Sequence, residues 1–286
     1  MRNSMRTVAL AATIAFGVFF ASTMVDAADT NWKGYTYSPA TQTVYKGLAA
    51  MLQKFEAEVG GKVSVKFNGG GSLPIKAKNI TQAVGDGVID FASDAFYTGN
   101  LPIGGIAFLP GLFLNEKDLD KATPIIMPYL QKALADRGIE LLGSYHYPLQ
   151  VLWSNGSLTS LSGLKGKKVR VSSAEQGEFV KRFGGVPVTM GSSEIAPAMQ
   201  RGILDVVITA SSGGARRIKD LVKSTYRIGP NLHFSLIIAN KKSFDALPRD
   251  AQEKLKRLSA ETGAWINKTL KQEEIDFTAK YEKTGI

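Results

Sequence analysis

One arginine stands out for where it sits. In "SGLKGKKVRVSS", residues 162–173, Lys168, Val169, Arg170, Val171 and Ser172 alternate, so the two valines share one strand face and Arg170 points to the other. A guanidinium placed that way meets a carboxylate through paired, charge-assisted hydrogen bonds. Other chemistry finds little support. His146 and His233 are the only histidines and lie far apart, so zinc-ligand spacing is missing, and there is no acidic calcium-type loop. Ser162 and Lys165 match a Ser-x-x-Lys pattern but sit in a turn before a strand, without companion motifs. "NGGGSLP" lacks the Gly-Lys-Ser/Thr that ends a phosphate loop and reads as a strand-to-helix turn. Paired carboxylates of a glycosidase type stay open, because sequence does not show which acids share a cleft.

The elements that must position Arg170 alternate between strand and helix, which predicts an α/β chain. "NWKGYTYSP" reads as a first strand, Val44 to Val59 as an amphipathic helix stopped by Gly60-Gly61, and "KVSVKF" as a strand. A helix is expected from Ser72 or Leu73 with Pro74 in its first turn, then strands at "GVIDFAS", "SYHYPLQVLWSN" and "GLKGKKVRVSS". Ser173 and Gln176 form a capping box for "AEQGEFVKRF", and Ser193 is placed to cap "EIAPAMQRG". "VPVTM", "ILDVVITA", "TYRIGP" and "HFSLIIANK" follow as strands, and helix dominates from Pro248 onward.

The chain has 286 residues, no cysteine and a net charge of +10. Residues 1–27 carry Arg2 and Arg6, an apolar run from Val8 to about Phe20, and a small-x-small site ending at Ala27. They predict a cleaved signal peptide and export to a periplasm. Removing two arginines and one aspartate with it leaves +9. The basic residues are scattered without an interleaved aromatic stripe, so nucleic acid is not an expected partner. An exported α/β chain of this length reads as a two-lobed binding protein with a ligand cleft. The expected lobes are 28–148 with 236–250, and 149–235 with 251–286.

The run "SLSGLKGKKVRVSSAEQGEFVKRFGGVPVTMGSSEIAPAMQRGILDVV" resembles the DctP-like solute receptors of TRAP (tripartite ATP-independent periplasmic) transporters. That family shows a Leu-x-Gly-x-Lys-hydrophobic-Arg-Val strand, a helix, a Gly-x-x-Pro-Val turn, a Glu-led helix and a Gly-hydrophobic-hydrophobic-Asp close. Glu194, Gly202 and Asp205 stand at the matching positions. "GVIDFAS", "AFLPGLF" and "ANKKSFDALPRDAQEKL" extend the resemblance over nearly all of the mature chain.

The resemblance implies a two-domain periplasmic binding protein with hinge-crossing segments, not an enzyme, that closes on an organic acid and delivers it to a TRAP permease. It implies a monomer without cofactor or metal, and structure continuing past "KYEKTGI". Arg170 takes the ligand carboxylate, the alternative being an ion pair with Asp94 or Glu194. Gln150 stands where some members hold a second arginine, and Thr209 or Ala210 where many hold an amide. Ser173, Ser193, Tyr37, Asp94, Phe96 and Tyr97 are further expected contacts, with Trp153 in the core. A ligand sensor that presents its closed form to a signalling receptor, and a cleft enzyme, are the rival readings.

Overall fold

The computed structural model describes residues 30–113 and 115–286; the expected signal peptide lies outside them. Two five-stranded sheets organise the chain. The first lobe opens with β1 (Thr30–Thr36), α1 (Thr43–Glu58), β2 (Val63–Gly69), α2 (Ile80–Gly85), β3 (Phe91–Asp94), α3 (Glu116–Ala135) and β4 (Ile139–Tyr147). The second contains β5 (Val151–Ser154), β6 (Lys168–Val171), α4 (Ala174–Arg182), β7 (Val186–Thr189), α5 (Ile195–Gln200), β8 (Val206–Thr209) and β9 (Ser224–Tyr226). The chain then returns through β10 (His233–Asn240), α6 (Lys241–Asp245) and α7 (Arg249–Glu282).

The strand orders are β2-β1-β3-β10-β4 and β7-β6-β8-β5-β9. In each lobe the strands flanking β1 or β6 are parallel to it, whereas β10 and β5 run antiparallel to their neighbours. All eight residues of β10 are buried, the mark of a strand covered on both faces. The helical spacing read over 44–59 is met: Val44, Leu48, Met51, Leu52 and Phe55 of α1 are buried in the first core.

Three local readings change. "SYHYPLQVLWSN" is two strands in different sheets, divided at Pro148, which has no N–H to give a ladder. The helix expected from Ser72 or Leu73 begins instead with a 3₁₀ turn at Ala77–Asn79, continued by α2. Pro74 disfavours helical backbone at Leu73, and Gly70 and Gly71 hold φ of 65° and 88° in a left-handed turn before it. "GLKGKKVRVSS" is a 3₁₀ turn at Leu161–Leu164 followed by the short β6.

The expected lobe boundaries shift as well. Ala251, Leu255, Leu258, Ile266 and Leu270 of α7 pack into the first lobe's core, and only its end, through Tyr281 with Phe277 beside it, reaches the second. His233, Phe234 and Ser235 are part of β10 and so of the first sheet. An amphipathic pattern fixes which helix face is buried and says nothing of the surface it meets. The segments around Pro148–Gln150 and Gly229–Leu232 cross between lobes side by side, with Gln150 N donating to Asn231 O at 2.9 Å.

The seat of α7 depends on a missing side chain. A Cβ on Gly263 would stand 2.3 Å from the Ser144 carbonyl oxygen of β4. Gly263→Ala is expected to force α7 off the sheet and lower stability by about 1–3 kcal/mol, read from urea unfolding. A melt indistinguishable from the parent's would disprove that close seat.

Candidate functional site

Between the lobes lies a cavity lined from the first lobe by Tyr37, Gln42, Ala95, Phe96, Tyr147 and His233. The second lobe lines it with Gln150, Arg170, Ser172, Ser192, Thr209, Gly213 and Gly214. Its volume is about 390 Å³, including the part open to solvent. The space is narrow and suits a compact ligand.

Arg170 is placed by the alternation of β6. Val169 and Val171 enter a core with Leu152, Leu164 and Ile208, and Arg170 leaves on the opposite face. Its Nε donates to Met190 O at 3.0 Å and its Nη1 to Ile208 O at 2.9 Å. These bonds use two of its five N–H donors and leave three. The side chain is only 4% exposed, yet among the described residues no carboxylate forms an ion pair with it. The pairing with Asp94 or Glu194 is not made. Burial lowers the guanidinium pKa to about 10, which leaves the group charged at neutral pH.

The first lobe supplies an aromatic wall. Phe96 meets Arg170 across the cleft, with the guanidinium carbon 5.9 Å from its ring centroid, and packs edge-on against Tyr37 at 4.9 Å. The Tyr37 hydroxyl donates to that of Tyr147. His233 lies stacked between Phe108 and Tyr147, at 4.6 and 5.1 Å. Asp94 shapes this wall from behind: its carboxylate accepts from Thr81 Oγ1 at 2.5 Å and from Phe96 N at 2.6 Å, turning the chain after β3 so that Ala95 and Phe96 face the cavity. Burial raises its pKa to about 6 despite those bonds.

In the second lobe Thr209 Oγ1 accepts from Gly214 N at 2.9 Å, and a Cβ on Gly214 would stand 2.9 Å from that oxygen. The turn between them is held from outside by Glu274 of α7, which accepts from Ser211 N and Ser212 N at 3.1 and 2.8 Å. Gln150 Nε2 donates to Pro148 O at 2.7 Å, and its carbonyl is left for the cavity. Ser172 donates to Gln176 Oε1, whose amide in turn donates to Asn231 in the return crossing.

Of the expected contacts, Tyr37, Phe96, Gln150, Arg170 and Thr209 line the cavity, and Ser173, Ser193, Asp94 and Tyr97 do not. Ser173 is spent as the α4 N-cap, accepting from Gln176 N at 3.2 Å. Gln176 does not close the capping box; it accepts from Ser172 N and Oγ instead. Ser193 neither caps α5 nor faces the cavity; Glu194 accepts from Gly191 N in that turn, and Ser193 sits at the cleft rim beside Gly71. Tyr97 is buried against Phe108 and Phe234. Trp153 is core, as expected, and donates to Thr209 O.

The sequence reading missed Gln42, Tyr147, Ser172, Ser192 and His233. Ser172 carried a usable signal: two residues from Arg170, it shares that strand face, whereas Ser173 does not. His233 opens an otherwise apolar strand, which marks it as unusual. Tyr147 is placed by its pairing with His233 across β4 and β10 and had no local signal.

Comparison with known proteins agrees with this architecture. A family model described as DctP, bacterial extracellular solute-binding protein, family 7, matches residues 34–286. A solute-binding protein of Albidiferax ferrireducens is 28% identical over 252 residues, covering 82% of this chain and 72% of its own. DctP6, a Bordetella pertussis extracytoplasmic solute receptor binding pyroglutamic acid, superposes with a TM-score of 0.84 at 26% identity, covering 90% of this chain and 86% of that one. DctP7 of the same organism, also binding pyroglutamic acid, shares the fold with a TM-score of 0.84 at 22% identity, over 90% and 86% of the two chains.

Titration of the wall is measurable. Burial, with Arg170 nearby, depresses the His233 pKa from 6.5 to about 3. Between these values the unfolded chain binds the extra proton, so stability falls as pH falls through 6.5. Asp94 acts oppositely from about 6 down to 3.8, over a narrower window. From pH 7 to 5 the His233 contribution is a loss of about 2 kcal/mol. His233→Phe is expected to lose correspondingly less stability over that interval in urea unfolding, and equal losses in the two proteins would contradict the assignment.

Proposed function

Because the chain belongs to the DctP family, family 7 of the bacterial extracellular solute-binding proteins, we propose that it captures a compact organic monocarboxylate between its lobes and delivers it to a TRAP-type membrane permease. The family is one of solute receptors, so its task is binding rather than turnover. The observation that carries the ligand class is Arg170: a buried cation with three free donors and no ionic partner among the described residues. A ligand carboxylate supplies the missing charge and accepts two of those donors in the planar geometry a guanidinium imposes.

The rest of the lining narrows the class. It contains one cation and no carboxylate, with a neutral glutamine at position 150. A second carboxylate on the ligand would be buried without a partner, and so would an ammonium group, at a cost of several kcal/mol each. A single acid group on a small uncharged body is what remains. Pyroglutamate, the ligand of the Bordetella receptors DctP6 and DctP7, has this form and is the first probe to try.

Capture requires the lobes to move. Phe96 against Arg170, Gly71 beside Ser193 and Gly105 beside Glu175 bring the lobes into contact on several sides of the cavity, so a ligand enters only if they part. The paired crossings at Pro148–Gln150 and Gly229–Leu232 are the hinge, and closure on the ligand assembles the two-lobed surface a permease recognises. In this proposal residues 1–27 direct export to the periplasm and the receptor acts as a monomer.

A thermal-shift and calorimetric screen of residues 28–286 against monocarboxylates tests this directly, since binding to the native state raises the melting temperature. Arg170→Ala is expected to weaken binding by about 2–5 kcal/mol, at least thirtyfold in Kd. Absence of any shift among the acids, or equal shifts in the variant, would rule out the carboxylate reading.

A further inference from the structure

The wall opposite Arg170 contains polar atoms that the protein itself does not satisfy. His233 is 4% exposed, and neither ring nitrogen has a hydrogen-bond partner among the described residues; Nδ1 is buried without one. Ser192, which lines the cavity from the other lobe, has a buried hydroxyl in the same state. Buried donors and acceptors are nearly always paired, because leaving one unpaired forfeits its hydration without return. If His233 served only to fill space between Phe108 and Tyr147, a phenyl ring would do so without that penalty.

We propose that His233 and Ser192 together read a neutral hydrogen-bonding group on the ligand, so that the receptor selects carboxylates bearing an uncharged amide or hydroxyl over those with a bare hydrocarbon body. The proposal rests on Arg170 holding the carboxylate and adds the second point of recognition. The geometry supports a fixed reader rather than an adaptable one. The imidazole stacks on Phe108 at 4.6 Å and on Tyr147 at 5.1 Å, at 24° and 21° to their rings, and this packing restrains its rotation. Burial and the nearby Arg170 charge keep the ring uncharged, leaving one nitrogen to donate and one to accept. An amide edge or a hydroxyl, each both donor and acceptor, complements such a ring and the Ser192 hydroxyl. Because His233 belongs to the first lobe and Ser192 to the second, a ligand group bonded to both would also tie the lobes together. Selectivity and closure then rest on one contact.

Matched acids separate this from the carboxylate reading. Calorimetry compares pyroglutamate with cyclopentanecarboxylate, and lactate with propionate, on the wild type, His233→Phe, His233→Gln and Ser192→Ala. The wild type is expected to prefer the polar member of a pair by about tenfold or more. His233→Phe should bring the two members within about threefold while still binding the hydrocarbon acid through Arg170, and His233→Gln should restore part of the preference. A wild type that binds both members equally, with binding lost in Arg170→Ala, overturns the selectivity proposal and leaves the receptor reading standing. A wild type that binds none of the four acids overturns both. If His233→Phe binds neither acid, ring ¹⁵N signals of the wild type decide, His146 being the only other histidine. A His233 nitrogen that moves with the polar acid and not with its hydrocarbon partner upholds the proposal, and unchanged signals overturn it.

Discussion

An arginine held away from water with no counter-charge is the constraint around which the second lobe is arranged. Removing a guanidinium from water is expensive, and the Met190 and Ile208 carbonyls return part of that cost through charge-assisted bonds. They can do so because β6 lies between two parallel neighbours, β7, which leads straight into Met190, and β8, where Arg170 stands opposite Val207 beside Ile208. That register is pinned at its start, where Asp205 accepts from Lys168 N at 2.8 Å and Gly202, at φ 67°, turns the chain into β8. The Gly-x-x-Asp close of the sequence motif is therefore a brace for the arginine strand and lies away from the cavity.

The two crossings are coupled to the lining by a chain of hydrogen bonds. Ser172 bonds Gln176, Gln176 bonds Asn231, and Asn231 bonds the backbone of Gln150. Two lining residues, Ser172 and Gln150, thus share one network with both hinge strands. On the far side, α7 does similar work with neighbouring carboxylates. Glu273 accepts from Thr43 of the first lobe and pairs with Arg216 of the second at 3.5 Å, and Glu274 holds the turn beyond Thr209. The helix is a strap across both lobes as well as a cover for the first.

What the sequence could show, and what it could not, follows from the range of each interaction. Arg170 was legible because strand alternation is local, and the order of strands and helices because hydrophobic period is local. Errors of one residue were the costly ones: Ser172 and Ser173 differ by one step, which puts one hydroxyl at the cavity and the other at a helix cap. Ser192 and Ser193 repeat the lesson. Asp94 was expected to meet the ligand or Arg170, yet its lone pairs are taken by Thr81 and Phe96, partners that a list of acids does not reveal. Tyr147 and His233 become neighbours only when β4 and β10 pair, a long-range event with no signature in either segment. The allegiance of α7 was hidden for the same reason.

The topology also imposes an order on folding. β4 and β10 are adjacent in the first sheet, yet the whole second sheet lies between them in the chain. A polypeptide appearing from its N-terminus therefore displays β1 to β4 with the strand that joins β3 to β4 still missing. The second sheet, confined to residues 151–226, has all its strands sooner, but its core still waits for Tyr281, as the first waits for Leu255 and Leu270. Neither lobe can finish until the last helix arrives. Such dependence on distant contacts makes folding slow. A chain that commits late stays threadable for longer, which is the property a polypeptide needs when it must pass through a membrane channel before it can take shape.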